Sequence, residues 1–320
     1  RVYAMKKGKL LGLVGVAVFA LALSGCSSSG DGDADAAKEI KSIGITVGDI
    51  SNPFWLAMTN GATESAAEIG ASISVQDAAQ DLAVQAAQID TFITQEMDLI
   101  IVGAVDSVGI APAIERAQAE GILVVAVGDK AQGASTYAAV DNKSAGVVAC
   151  EYMANEIGGK GEVAIIDGTA VSAVIERVVG CEEALAKFPD IKIVKKVAGD
   201  NAIGKGQTIA TDILTAHPKL KGIFGINDPT ALGALLAAQD AKFKTLIIVG
   251  VDGAPSAVAE LSKPSSMFKG SASQDPRAMI KAVLAAAQVV ISGGDWPADG
   301  ILLPSEFITK ANLSTYKGWS

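Results

Sequence analysis

Gly48-Asp49-Ile50-Ser51-Asn52-Pro53-Phe54-Trp55 follows an apolar run that ends at Val47. Pro53 has no backbone donor and pushes Asn52 out of the helical region, so the extended segment stops here. The turn therefore sits at the carboxyl end of a strand, where open α/β sheets place their ligand crevices. Beyond it, Trp55, Met58, Ala62, Ala66 and Ile69 recur at helical spacing and predict a helix reaching Gly70. Two adjacent aromatics at such a turn, beside Asp49, Ser51 and Asn52, offer flat apolar faces rimmed by donors and acceptors, which suits a sugar ring. The same residues also suit a plain role, with Phe54 and Trp55 anchoring the core and Asn52 making the turn. The order of the remaining chain decides between them.

Outward from this turn, short β-rich runs alternate with amphipathic stretches of helical length. Strands are predicted at 42–47, 71–77, 99–102, 123–127 and 137–140, then in a second series at 162–166, 191–197, 222–226, 246–251 and 267–271. Helices are predicted between them, with a late helix over 276–292 and a short strand over 300–303. Alternation of this kind gives right-handed βαβ units and parallel sheets buried on both faces. Two series mean two similar lobes, and the roughly 280 residues after the N-terminal segment exceed what one hydrophobic core usually supports. The late helix and strand must return to one of the lobes, so the chain crosses between them more than once.

Residues 1–25 stand apart from this fold. Lys6, Lys7 and Lys9 precede an unbroken run of 14 apolar or glycine residues, Leu10 to Leu23. That length fits an export signal and falls short of the ~20 residues of a bilayer span. The four basic residues of 1–25 have no acidic counterpart, so the remainder stands at −13 against −9 for the whole chain. An acidic exported protein without a basic cluster is a poor nucleic-acid binder. Cys150 and Cys181 lie in helix-like stretches; they either pair in an oxidising compartment or stay as two buried thiols.

Several weaker signals fail on their own chemistry. Asp31, Asp33 and Asp35 alternate like calcium-loop ligands, but Ala36 and Ser42 occupy the places of the required glycine and glutamate. The run 199–206 nearly spells a phosphate-binding loop, yet Gly206 stands where a magnesium-binding Ser or Thr is needed. One histidine, His217, leaves a Ser-His-Asp or Cys-His mechanism without an evident base and cannot build a His-rich metal site. Asp129 and Asp252 are the sole candidates for a paired-carboxylate glycosidase. The reading is therefore of a non-enzyme with no cofactor and no metal.

The motifs Ser51-Asn52-Pro53-Phe54-Trp55, Asp141-Asn142 with Gly146, Ile175-Glu176-Arg177 with Gly180, Ile226-Asn227-Asp228, Val249-Gly250-Val251-Asp252-Gly253 and Gln274-Asp275-Pro276 occur in this order over about 41–303. In order and spacing they resemble the ribose/galactose-type periplasmic sugar-binding proteins, the type I solute-binding components of ABC importers. The resemblance implies two Rossmann-like doubly wound parallel-sheet lobes joined by a multi-strand hinge. It divides the chain into an export segment 1–25, a tether 26–40, an N-terminal lobe 41–141 plus 275–303 and a C-terminal lobe 142–274 plus 304–320.

The Leu23-Ser24-Gly25-Cys26 ending of the export segment is similar to a lipobox, with Cys26 as the lipidated residue and the Ser/Gly/Asp-rich run behind it as the tether. Carried over by position, the resemblance implies ligand contacts from Asp49, Asn52, Phe54 and Trp55 on the first lobe and from Arg177, Asn227 and Asp252 on the second, with Gln274 near the hinge. Asp129 falls where relatives carry the arginine of an Asp-Arg pair, and Gly128 where they carry its aspartate. Asn201 stands where many relatives place a second stacking aromatic, so the aromatic sandwich is expected to be one-sided and to admit, beside a monosaccharide (pentose or hexose), a smaller or more polar ligand such as a polyol or a branched sugar. The expected protein is a monomeric, lipid-anchored receptor, periplasmic or on the outer cell surface, that hands its sugar to an ABC transporter permease. A sensory receptor passing a sugar-like signal to a kinase or chemoreceptor is the alternative.

Overall fold

The computed structural model describes residues 39–319. The export segment, Cys26, the tether up to residue 38 and the Asp31, Asp33 and Asp35 run lie outside the described residues. The chain runs β1 (Ser42–Val47), α1 (Pro53–Glu68), β2 (Ser72–Asp77), α2 (Leu82–Thr94), β3 (Leu99–Val102), α3 (Ala111–Ala119), β4 (Leu123–Val127) and β5 (Tyr137–Val140). It continues through α4 (Asn142–Glu156), β6 (Lys160–Asp167), α5 (Ser172–Leu185), β7 (Asp190–Ala198), α6 (Ile203–Ala216), β8 (Gly222–Gly225), α7 (Asp228–Asp240) and β9 (Ile247–Asp252). α8 (Pro255–Leu261), β10 (Phe268–Ser273), α9 (Pro276–Ile291), β11 (Ile301–Leu303) and β12 (Phe307–Thr309) complete it.

Two six-stranded sheets result, ordered β11-β5-β4-β3-β1-β2 and β12-β10-β9-β8-β6-β7. Every pairing in the first is parallel. The second is parallel except at its edge, where β12 runs antiparallel to β10. The central strands of both sheets are covered on both faces and read as nearly continuous apolar runs, whereas the edge strands β2 and β7 carry polar and exposed residues. In the first, Ile43, Ile45 and Val47 face Met58 and Val283, while Ile100, Val102 and Val124 face Phe92 and Ile114 on the other side. In the second, Ile166, Ile223 and Ile248 pack on Ile213 and Leu235, and Val163, Ile165 and Phe224 pack on Met153 and Val178.

The helices start where short polar side chains satisfy first-turn donors: Asn52, Asp81, Asp141, Asn227 and Asp275 each accept from a backbone N–H two or three residues on. The chain passes between the sheets three times, after β5, after β10 and after β11, and these passages form the hinge. β12 has no counterpart in the sequence reading, which treats 304–320 as a polar tail. Its three residues form a strand only because the β10 edge supplies partners. Cys150 of α4 and Cys181 of α5 are joined as a disulfide, which resolves the two alternatives left open by the sequence. His217 ends α6 with its Nδ1 3.5 Å from Glu162 Oε2.

Candidate functional site

In both sheets the strand order reverses beside the first strand of its series, β1 and β6, and crevices of doubly wound folds open at the carboxyl ends there. Between the lobes lies a cavity with about 420 Å³ of atom-free space. Nine of the ten predicted ligand residues line it: Asn52, Phe54, Trp55 and Asp129 from the first lobe, Arg177, Asn201, Asn227 and Asp252 from the second, and Gln274 at a passage between them.

Phe54 and Trp55 meet edge to face, ring centres 5.0 Å apart, and are the aromatic side chains of the lining. Gly128 shapes their seat. Its φ is +80°, and a Cβ there would come within 3.1 Å of both rings, so this position presses backbone rather than a side chain against the aromatic wall. The apolar lining from the other lobe is aliphatic, namely Val171, Ala173 and Val174.

Arg177 is buried and oriented by its neighbours: Nε donates to Asn142 Oδ1 at 2.9 Å and Nη1 to the Ile226 carbonyl at 3.1 Å, while Asp252 Oδ1 stands 3.9 Å from Nη1. Burial lowers its pKa, opposed by Asp252, Asp228 and Asp129. Asp252 accepts from Gln274 Nε2 at 2.7 Å, and burial lifts its carboxyl to about 6 against the pull of Arg177. Behind it, Asp228 accepts from Ser271 Oγ and the Ala254 amide. Burial first, and then the Asp252 charge, raise it well above the usual carboxylate range.

Asp129 accepts from Ser107 Oγ through Oδ2 at 3.2 Å, whereas its Oδ1 and the Gln274 Oε1 are buried without a hydrogen-bond partner among the described residues. Burial pushes the Asp129 carboxyl up to about 8, outweighing the Ser107 hydroxyl, the Ala104 backbone amide and Arg177. The two asparagines serve twice. Asn52 and Asn227 each use Oδ1 to cap a helix, α1 or α7, and donate from Nδ2 to the Asn201 carbonyl.

Two expected side-chain contacts fall elsewhere. Asp49 does not line the cavity; its Oδ1 accepts from the Ser51 amide at 2.8 Å, so the carboxylate is spent on its own turn, beside a neighbouring opening lined also by Asp200. Asn201 does line the cavity, but its Nδ2 donates to Thr169 Oγ1 at 2.8 Å and its backbone is left-handed at φ 64°. Its backbone carbonyl accepts from Asn227 Nδ2 at 3.0 Å and from Asn52 Nδ2 at 3.5 Å, so that it joins two lining asparagines. Sequence reasoning missed Ser107 and Ser172, whose contact bridges the lobes, and Trp319, whose Nε1 donates to the Asp252 carbonyl. An isolated tryptophan in a polar tail is the one signal that marks the last of these.

Residues 43–295 match the model of the periplasmic binding protein domain. The chain belongs to that family. Among similar proteins, the xylitol-binding protein of Mycolicibacterium smegmatis is 31% identical over 297 residues, covering 90% of this chain and 83% of its own. The ribose import binding protein of Bacillus subtilis is 29% identical, over 78% of this chain and 82% of its own. Solved structures that resemble this periplasmic binding protein include an ABC transporter periplasmic solute binding protein from Actinobacillus succinogenes with bound D-allose. Its TM-score is 0.80 at 27% identity, covering 86% of this chain and 100% of the other. The Caulobacter myo-inositol binding protein bound to myo-inositol has TM-score 0.81 at 25% identity, covering 87% and 96%. Among the described residues of this family member, no helix is long and apolar enough to cross a membrane, and no group of three His, Cys, Asp or Glu side chains is placed to hold a metal ion.

Proposed function

We propose that this periplasmic binding protein captures a monosaccharide or polyol in the interlobe cavity and delivers it to an ABC importer permease. The observation that carries this reading is the pair of buried acceptors without partners, Asp129 Oδ1 and Gln274 Oε1, lining the same cavity as the edge-to-face Phe54 and Trp55. Buried acceptors without partners are costly, and hydroxyl groups of a ligand seated on an aromatic face would satisfy them. Relatives named for xylitol, ribose, D-allose and myo-inositol support the same ligand class.

The ligand-binding set on this reading is Asn52, Phe54, Trp55, Asp129, Arg177, Asn201, Asn227, Asp252 and Gln274. The moving bodies are 41–141 plus 275–303 and 142–274 plus 304–320, and ligand contacts from both favour the closed form. The monomer is held at the membrane by a lipid on Cys26; exchange of Cys26 for serine is expected to release it from the membrane fraction.

The test is a thermal-shift panel on the full chain with xylitol, D-ribose, D-allose and myo-inositol. A ligand at a hundredfold excess over its Kd stabilises by about 2.7 kcal/mol, so binding by one or a few stereoisomers stands out. Arg177→Ala is expected to abolish that shift, because it leaves buried carboxyls without their cation, a loss of roughly 2–5 kcal/mol in such sites. A flat panel, or an unchanged shift in the variant, refutes the assignment.

A further inference from the structure

We infer that Trp319 is a positioning residue of the cavity, holding the Asp252 backbone in the conformation that aims its carboxylate and linking that residue to the aromatic wall of the other lobe. The inference rests on reading the interlobe cavity as the ligand site. Asp252 has φ 138°, in the region that favours glycine, yet carries a side chain. Such a backbone persists only where its surroundings hold it, and positions of this kind collect at ligand sites.

Here the hold is visible. The Asp252 carbonyl accepts from Trp319 Nε1 at 3.0 Å and from the Gln274 amide at 2.9 Å. The next residue is gripped as well, the Gly253 carbonyl accepting from Tyr316 Oη at 2.9 Å and the Gly253 amide donating to Ser271 Oγ at 2.9 Å. Two aromatic side chains from the segment after β12 thus clamp one turn of the site.

Trp319 also faces the other way. Its ring meets Phe54 edge to face, with centres 6.3 Å apart and planes at 78°, and packs against the core that contains β1 and α9. It does not line the cavity, so it acts through its neighbours. One indole therefore ties the backbone of a second-lobe carboxylate to a first-lobe aromatic, and a change in either wall is felt by the other.

Trp319→Phe keeps an aromatic ring beside Phe54 while removing the donor and part of the bulk of the indole. Calorimetric titration of the full chain with xylitol, D-ribose, D-allose and myo-inositol is expected to show binding weakened roughly fivefold to tenfold in this variant, the loss typical of one hydrogen bond. The denaturation midpoint without ligand should barely move. In an Asp252→Asn background the same exchange should cost less than it does alone, because the two act on one group. A second readout needs no ligand: hydrogen exchange of the Gly253 and Gln274 amides, just beyond β9 and β10, should quicken in Trp319→Phe while those two strands are unchanged.

Unchanged affinity, an independent effect alongside Asp252→Asn, or unaltered exchange of those two amides overturns the inference. The reading of the cavity fails separately. In that case Arg177→Ala binds as the parent does, or no panel member binds, while the exchange measurement still decides the role of Trp319.

Discussion

Asp129 concentrates the electrostatics of the cavity in one side chain. Its buried carboxyl, raised to about 8, is neutral near pH 7 in the ligand-free protein, whereas an unfolded aspartate has lost its proton by then. The folded state thus holds the extra proton, so the stability Asp129 contributes is full below about pH 4 and is lost as pH rises through about 8. A ligand hydroxyl donating to Oδ1 favours the anion. Binding near pH 7 is therefore expected to release up to about one proton, read from the dependence of the calorimetric heat on buffer ionisation. Asp129→Asn should remove the proton release that Asp129 supplies and make the pH dependence of stability between pH 5 and 8 shallower, the remainder belonging to Asp228 and Asp252, whose carboxyls burial also raises. Proton uptake on binding contradicts the assignment. This carboxyl was legible as a candidate because polar residues just after strands 123–127, 222–226 and 246–251 must come to the carboxyl ends of their parallel sheets, one in each lobe. Its neutral form was not legible, since burial is a property of the assembled lobes. For the same reason the hydrogen bonds of the Asp49 and Asn201 side chains were not legible: a turn amide or a threonine competes with a ligand for the same atoms, and spacing alone does not show which prevails.

Arg177 reaches the cavity because α4 and α5 touch backbone to backbone. A Cβ on Gly146 would lie 2.0 Å from the Arg177 carbonyl, and one on Gly180 would lie 2.0 Å from the Lys143 carbonyl. Asn142, at the start of α4, then stands close enough to accept from Arg177 Nε. The two glycines were visible as motif members, and their physical purpose is this crossing. Gly180→Ala is expected to cost about 1–3 kcal/mol in chemical denaturation through overpacking and to weaken binding, since the guanidinium moves with its helix. The Cys150–Cys181 disulfide pins the same two helices across a sequence separation of 31. Replacing both cysteines by alanine should lower stability by roughly 3 kcal/mol through the unfolded state while leaving affinity nearly unchanged. Equal losses of affinity in both variants would mean that the crossing does not set Arg177. At this scale the longer helices and most strands were legible from periodicity. The pairing of the cysteines was not, because it depends on which faces of two separately predicted helices meet, and three residues of β12 are too few to carry a period.

Three chain passages join the lobes, and the lobes also touch beside the cavity. Ser107 Oγ donates to Asp129 Oδ2 at 3.2 Å and accepts from the Ser172 amide of the other lobe at 2.9 Å. The Lys130 amide donates to Ser172 Oγ at 2.9 Å, and its ammonium pairs with Glu176 at 2.6 Å. The ion pair is half exposed and contributes little, typically under about 1 kcal/mol. Ser107 matters more. Opening the lobes parts it from the Ser172 amide, and removing its hydroxyl leaves that amide and a buried Asp129 oxygen without partners only in the closed form. Ser107→Ala is thus expected to disfavour closure by about 1–3 kcal/mol and to weaken apparent affinity roughly tenfold to a hundredfold, because the competent fraction divides the intrinsic affinity. Saturating ligand should still restore the closed dimensions of the parent protein in small-angle scattering, since the cavity contacts remain. Weaker binding together with an unchanged closed radius assigns Ser107 to the equilibrium between open and closed forms. Unaltered affinity shows instead that closure does not pass through this contact, and a saturated variant that stays expanded shows that the cavity contacts alone do not close the lobes.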